Sequence, residues 1–110
     1  MDELLKQALL YDFYGELLTD HQKEIYEQFI LEDLSLGEIA RDAGISRQGV
    51  HDLVKRCDRT LQEYEEKLHL VSRFLTVKEQ IHKIREILDQ EPAEDISVLK
   101  SEIRKISDEI

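Results

Sequence analysis

The sequence predicts an all-α protein in which a helix-turn-helix bundle is followed by a long C-terminal helix and a terminal helix, and which associates into oligomers. Three observations favour this fold class. Apolar residues recur with helical spacing along most of the 110 residues, the chain holds only four glycines and one proline, and several segments begin with residues that cap helices.

The first predicted helix covers residues 2–18, because apolar side chains recur there at intervals of four. These residues are Leu5, Leu9, Phe13 and Leu17. We expect this stripe to face the core. The aromatic rings of the first quarter are expected to pack in the same core rather than stack on bases. They are Tyr11, Phe13, Tyr14 and Tyr26.

Capping signals place the next two helices. Thr19 stands three residues before Gln22, and Ser35 stands three residues before Glu38, which is the spacing of a capping box. We therefore expect one helix over residues 20–32 and a short one over residues 36–43. The first of these is expected to face the core with Ile25, Phe29 and Ile30.

Residues 36–55, LGEIARDAGISRQGVHDLVK, fit a helix-turn-helix at nearly every restricted position. Gly44 is expected to adopt the left-handed conformation of the turn, and Ser46 to cap the second helix. Ala40 is small where the two helices cross, and Ile45 is expected to fill the gap behind the turn. The remaining core positions are Ile39, Ala43, Val50, Leu53 and Val54.

The second helix of this motif would present its first turns to a DNA major groove. The residues expected to bind nucleic acid are Ser46, Arg47, Gln48, His51, Lys55, Arg56 and Arg59. The Arg-Gln pair can read guanine and adenine, and the basic residues after it can hold phosphates. Asp52 and Asp58 lie in the same helix and oppose phosphate binding, so a scaffold kept for protein contacts is the alternative.

Two overlapping apolar patterns predict one helix over residues 59–89, or two helices with a break near Thr60. Residues 61–110 would then form an oligomerisation tail behind a head of residues 1–60. A broad apolar face favours a homodimer. Its contact residues are expected to be Leu68, Val71, Leu75, Ile81, Ile84 and Leu88.

A turn is expected at residues 89–95, where Pro92 stands among acidic residues. A narrow heptad seam follows it. The seam consists of Ile96, Leu99, Ile103, Ile106 and Ile110. It could pack back on the long helix or against another chain.

The charge distribution sets one segment apart. The chain carries a net charge of −10, but residues 41–59 carry +2 between stretches of −8 and −4. Such acidity opposes non-specific adhesion to nucleic acid or anionic membranes, so the basic segment is the expected contact. We expect no membrane association, because no uninterrupted apolar run is long enough to span a bilayer.

No arrangement of residues indicates catalysis, a metal or another cofactor, and we expect a protein that is not an enzyme. The four histidines are far apart in the sequence, and no phosphate-binding loop is present. The single cysteine, Cys57, excludes an internal disulfide and indicates the cytoplasm, as does an N-terminus without a basic region before an apolar stretch. The arginine neighbours of Cys57 could lower the pKa of its thiol, although a buried small side chain is the commoner role of such a cysteine.

The stretch LLTDHQKEIYEQFILEDLSLGEIARDAGISRQGVHDLVKRCDRTL resembles region four of bacterial sigma factors, the module that reads promoter −35 elements. The stretch YDFYGELLTDHQKEIYEQFILEDLSLGEIARDAGISRQGVHDLVKR, with the long helix after it, resembles the YlxM family of small helix-turn-helix proteins more closely. Nothing resembles the sigma regions that engage polymerase, so a complete sigma factor is excluded.

These resemblances imply a regulatory protein and suggest Arg47, Gln48, His51 and Lys55 as the DNA-facing residues. Genes of the YlxM family commonly neighbour genes of the signal recognition particle, which implies a role in that pathway. The alternative function is therefore an adaptor that contacts the GTPase or the RNA of the particle without reading DNA sequence.

Overall fold

Six α-helices make up most of the part of the protein that the structure describes. The computed structural model describes residues 2–89 and 96–109, and no strand occurs within those ranges. The helices are α1 (Glu3–Tyr14), α2 (Asp20–Ile30), α3 (Leu36–Ala43), α4 (Arg47–Leu68), α5 (Leu70–Asp89) and α6 (Ile96–Glu109). The predicted all-α class is confirmed. None of the described helices combines the length and the apolarity needed to cross a membrane.

The predicted capping signals are all confirmed. The Thr19 hydroxyl accepts a hydrogen bond from the Gln22 backbone N–H at 3.2 Å, and the Gln22 side chain accepts one from the Thr19 N–H at 3.0 Å. Ser35 and Glu38 form the same reciprocal box at the start of α3. These bonds satisfy backbone N–H groups that the first turn of a helix leaves without partners, and so fix where α2 and α3 begin.

The chain divides into two compact units, Met1–His69 and Leu70–Ile110. In the first unit α4 packs against α1, α2 and α3, so that α4 is the central element of a small bundle. The core consists of Leu10, Tyr11, Tyr14, Leu18, Ile25, Tyr26, Ile30, Ile39, Ala40, Val50, Val54, Cys57 and Leu61. Of the expected core residues in α2, Phe29 is only half-buried.

The buried face of α1 differs from the predicted one. Leu5, Phe13 and Leu17 are exposed, by 53%, 38% and 55%, whereas Tyr11 and Tyr14 are buried. The helix also ends earlier than expected, because Gly15–Leu17 forms a 3-10 turn. Gly15 is required there: a Cβ atom at this position would lie 2.7 Å from the Tyr11 ring.

Tyrosine hydroxyls explain which face of α1 is buried. Tyr11 donates a hydrogen bond to Glu27 of α2, and Tyr14 donates one to Glu65 of α4 at 2.6 Å. The Tyr14 ring also stacks on Tyr64, with the ring centroids 6.0 Å apart. Each ring therefore buries a large apolar area while its hydroxyl retains a hydrogen-bond partner. Leucine side chains have no hydroxyl that could bind these carboxylates.

Asp58 joins three helices of the first unit. It accepts a hydrogen bond from the Tyr26 hydroxyl of α2 at 2.5 Å and from the Gln7 amide of α1 at 3.0 Å. Tyr26 is fully buried, and burial together with the Asp58 carboxylate raises the pKa of its hydroxyl. The hydroxyl therefore remains a donor, and α1, α2 and α4 are held in one register.

The predicted break near Thr60 is wrong, because α4 runs without interruption from Arg47 to Leu68. The break lies instead at His69, which adopts a left-handed conformation with φ of 58° and donates its backbone N–H to the Glu65 carbonyl at 2.9 Å. Glycine usually occupies a left-handed position at the end of a helix, and because His69 is not a glycine, no residue in the sequence signalled this break.

In the second unit, α5 and α6 pack against each other. Of the two arrangements considered for the heptad seam that begins at Ile96, this is the one in which it packs back on the long helix. Of the residues expected to mediate self-association, Val71 is buried, Leu75 and Ile84 are half-buried, and Leu68, Ile81 and Leu88 are exposed. The turn expected around Pro92 and the last seam residue, Ile110, lie outside the described residues.

Gly44→Ala is expected to lower the free energy of unfolding by about 1–2 kcal/mol, measured by urea denaturation. Gly44 has φ of 71°, and a Cβ atom there meets no neighbour within 4 Å, so the cost comes from backbone strain alone. Gly37→Ala, inside α3, is the matched control and should be neutral or stabilising. Equal effects of the two substitutions would contradict this interpretation of the turn.

Tyr26→Phe is expected to lower the free energy of unfolding by about 1–3 kcal/mol, because Asp58 then loses a buried donor. Tyr64→Phe retains the ring contact with Tyr14 and serves as the control with a smaller effect. A double-mutant cycle with Asp58→Asn should show coupling between Tyr26 and Asp58; strict additivity would show that the hydrogen bond contributes nothing.

Candidate nucleic-acid interface

The helix-turn-helix is built as its sequence predicts. Ile39 of α3 and Val50 of α4 are fully buried, and Ala40 of α3 is also buried. At the turn, the backbone N–H groups of Gly44 and Ile45 both donate to the Ala40 carbonyl, at 2.9 Å and 3.2 Å. Together with the left-handed Gly44, these bonds end α3 and redirect the chain into α4.

One of the expected core positions in this motif is wrong, and two others are only partly buried. Ala43 is exposed, because it lies beside an open groove lined by His21, Gln28 and Asp42. Ile45 is 37% exposed, so it covers the turn without being enclosed. Leu53 is half-buried. The crossing of α3 and α4 therefore depends on fewer apolar contacts than the sequence pattern suggests.

The start of α4 is fixed by Ser46. Its hydroxyl accepts a hydrogen bond from the Gly49 backbone N–H at 2.9 Å, as an N-cap does. Gly49 has a structural reason to be glycine, since a Cβ atom there would lie 3.1 Å from the Ser46 hydroxyl oxygen. The Ser46 oxygen thus accepts from the helix, while its O–H hydrogen remains a donor that a phosphate could accept.

All seven residues expected to bind nucleic acid are exposed. Successive residues of an α-helix are about 100° apart, which places the six helical ones on one broad face. The buried residues Val50, Val54, Cys57 and Leu61 lie on the opposite face. The structure therefore brings the predicted side chains together as one exposed surface, here called the α4 face, which runs from Arg47 to Arg59.

Asp52 organises the first two turns of the α4 face. Its carboxylate accepts a hydrogen bond from the Gln48 amide nitrogen at 2.9 Å and lies 3.4 Å from Nδ1 of His51. The bond from Gln48, followed by the contact with His51, lowers the pKa of Asp52. From the sequence, Asp52 was expected only to repel phosphate. Its spacing of four residues from Gln48 could have indicated this hydrogen bond, because residues four apart are neighbours on a helix.

Asp58 lies at the edge of the α4 face, and the expectation that its charge opposes phosphate stays a prediction. Its carboxylate is half-buried and engaged by Tyr26 and Gln7. Between residues 46 and 59, the exposed charges are thus four basic side chains and the Asp52 carboxylate. The face has a clear positive excess.

Cys57 belongs to the core. The side chain is fully buried, and burial raises the pKa of its thiol to about 11, with Asp58 adding to the shift and Arg56 opposing it. The possible lowering of its pKa by neighbouring arginines is therefore wrong, since desolvation dominates. Among the residues that the structure describes, no group of histidine, cysteine and carboxylate side chains has the arrangement of a metal site.

Comparison with known proteins agrees with this geometry. The family model described as "UPF0122: Putative helix-turn-helix protein, YlxM / p13 like" matches residues 1–103. The UPF0122 protein of Caldanaerobacter subterraneus subsp. tengcongensis is 52% identical over 87 residues, which cover 79% of this chain and 74% of that protein. The UPF0122 protein of Acetivibrio thermocellus is 47% identical over 106 residues, covering 96% and 88%.

The UPF0122 protein YlxM of Bacillus subtilis is 37% identical over 107 residues, which cover 96% of this chain and 97% of that protein. These matches extend from the helix-turn-helix into the second unit. The chain belongs to the UPF0122 family of YlxM/p13-like helix-turn-helix proteins.

Proposed function

We propose that this protein is a non-enzymatic regulator that binds duplex DNA through the α4 face. The observation that carries the proposal is the exposed cluster of basic and amide side chains on the second helix of a well-formed helix-turn-helix. In this motif the second helix enters the major groove with its N-terminal residues. Such a regulator would act in the cytoplasm.

The residues of the α4 face divide into two groups. Arg47 lies in the first turn and can donate two hydrogen bonds to one guanine. Lys55, Arg56 and Arg59 lie further along the helix, where their charges suit backbone phosphates. The first group would read sequence, and the second would set affinity and its dependence on salt.

Gln48 has a restricted choice of partner. One hydrogen of its amide is donated to Asp52, which leaves the carbonyl oxygen and the second hydrogen for a base. This is the pair of groups that bonds an adenine edge. Asp52 would thus orient Gln48 for recognition while its charge reduces binding to arbitrary sequences.

The acidic remainder of the protein supports selective binding. The chain has a net charge of −10, so most of its surface repels nucleic acid and the α4 face supplies the attraction. A homodimer would present two α4 faces to half-sites about one helical turn apart.

The alternative is an adaptor that contacts the signal recognition particle. Membership of the YlxM family favours it, and the same basic residues would contact the particle RNA. A-form RNA has a major groove too narrow for a helix, so loops or phosphates would be the target. The two functions therefore differ in which nucleic acid is preferred.

Binding measured in parallel separates them. The full chain is titrated, over a salt series, against a duplex pool of randomised sequence and against the particle RNA with and without its GTPase. Enrichment of a duplex sequence supports the DNA regulator. Preference for the particle, with duplex affinity at the non-specific level, would overturn it in favour of the adaptor.

Arg47→Ala is expected to weaken binding to the selected duplex by about 1–3 kcal/mol and to relax the preference at one base pair. Fluorescence anisotropy with the selected duplex and single-base variants measures both effects. Arg104→Ala, an exposed arginine of α6, is the matched control. An equal loss in both variants would show that Arg47 contributes only charge.

Asp52→Asn is expected to raise affinity for a random duplex several-fold, because the α4 face loses its exposed carboxylate. It should at the same time reduce discrimination at the base read by Gln48, since an amide orients that side chain less firmly. Competition binding between the selected and random duplexes measures the ratio. An unchanged ratio would contradict the role given to Asp52.

A further inference from the structure

The His51 side chain lies on the α4 face next to a carboxylate that it shares with Gln48. Its imidazole is nearly half exposed, and the Nδ1 atom lies 3.4 Å from Oδ1 of Asp52. The same oxygen accepts the hydrogen bond from the Gln48 amide at 2.9 Å. One carboxylate oxygen therefore has two neighbours, an amide that always donates and a ring nitrogen whose role depends on the proton that it carries.

Asp52 selects the tautomer of the His51 ring. The Gln48 hydrogen bond, followed by the contact with His51, lowers the pKa of Asp52, so this carboxylate is charged above about pH 5. A charged carboxylate only accepts hydrogen bonds, and an Nδ1 atom without a proton would point a lone pair at it. The contact therefore favours the proton on Nδ1, which leaves Nε2 as the acceptor of the neutral ring.

We propose that Nε2 of His51 is a pH-dependent phosphate contact of the α4 face, so that the protein binds duplex DNA more tightly when this histidine is charged. The inference rests on the proposed function. In the neutral ring, the lone pair of Nε2 repels a phosphate oxygen. In the charged ring, Nε2 donates a hydrogen bond and the ring adds a positive charge, while Nδ1 keeps its contact with Asp52.

The charges around the ring decide in which direction the duplex shifts its protonation. On α4, Arg47, Lys55 and Arg56 lie within five residues of His51 and oppose the charged ring, whereas Asp52 favours it. Within the described residues, no charged side chain of α1, α2 or α3 forms a hydrogen bond or an ion pair with the ring. A phosphate against the α4 face adds negative charge beside these cations and favours the charged ring. By linkage, duplex binding then takes up a proton.

Fluorescence anisotropy of the full chain tests the proposal, with the duplex selected from the randomised pool and at constant ionic strength. The measurements run from about pH 5.5 to 8, the range in which histidine ordinarily changes its charge. We expect the affinity to fall about three- to tenfold as the pH rises, because one charged contact with the duplex is lost. His51→Gln should remove this dependence, since glutamine does not titrate.

His82→Gln is the matched control for the pH series. His82 also lies beside a carboxylate, with its Nε2 atom 3.1 Å from Glu86, but both residues belong to α5. This variant should keep the pH dependence of the unaltered chain. A duplex bound with the same affinity at every pH, or a dependence that survives in His51→Gln, would overturn the inference alone. Absence of duplex binding at every pH would overturn the proposed function as well.

Nuclear magnetic resonance of the free chain tests the role of Asp52 without DNA. The 15N shifts of the imidazole distinguish the two neutral tautomers, and at about pH 8 we expect the proton of His51 on Nδ1. Asp52→Ala removes the acceptor and should lower the population of this tautomer. A His51 ring that carries its proton on Nε2 in the unaltered chain would overturn the proposal.

Discussion

The carboxylate of Asp58 is the constraint on which the first unit depends. It lies in the middle of α4 and accepts hydrogen bonds from Tyr26 of α2 and Gln7 of α1. A half-buried carboxylate is costly unless its lone pairs are occupied, so arrangements of the three helices that bring both donors to it are favoured. The orientation of α4 follows, and with it the direction of the α4 face.

Fixing α4 in this way separates two kinds of acidic residue that look alike in the sequence. Asp58 is half-buried and accepts hydrogen bonds from two other helices, whereas Asp52 is exposed and accepts one from Gln48. A helix with both carboxylates on its outer face would repel DNA. With one of them half-buried against α1 and α2, the exposed charges of residues 46–59 are mostly basic in an otherwise acidic protein.

Much of the first unit could be predicted, because its signals are local. The capping boxes, Gly44 and Ser46 act within three or four residues, and each has the geometry expected of it. The buried face of α1 could not be predicted, since it depends on Tyr11 and Tyr14 finding partners far away in the sequence. A periodic stripe shows that a helix is amphipathic, but another face can bury more area with its hydroxyls satisfied. The break at His69 was missed because a non-glycine residue adopts the left-handed conformation there.

In the proposed function, the first turns of α4 enter a DNA groove. Nuclear magnetic resonance tests it most directly, by titrating the 15N-labelled chain with a selected duplex and following each backbone amide. We expect the largest shifts to cluster at Arg47, Gln48, His51 and Lys55, and the amides of α5 and α6 to change little. Shifts confined to α5 and α6, or absent at saturating duplex, would contradict it.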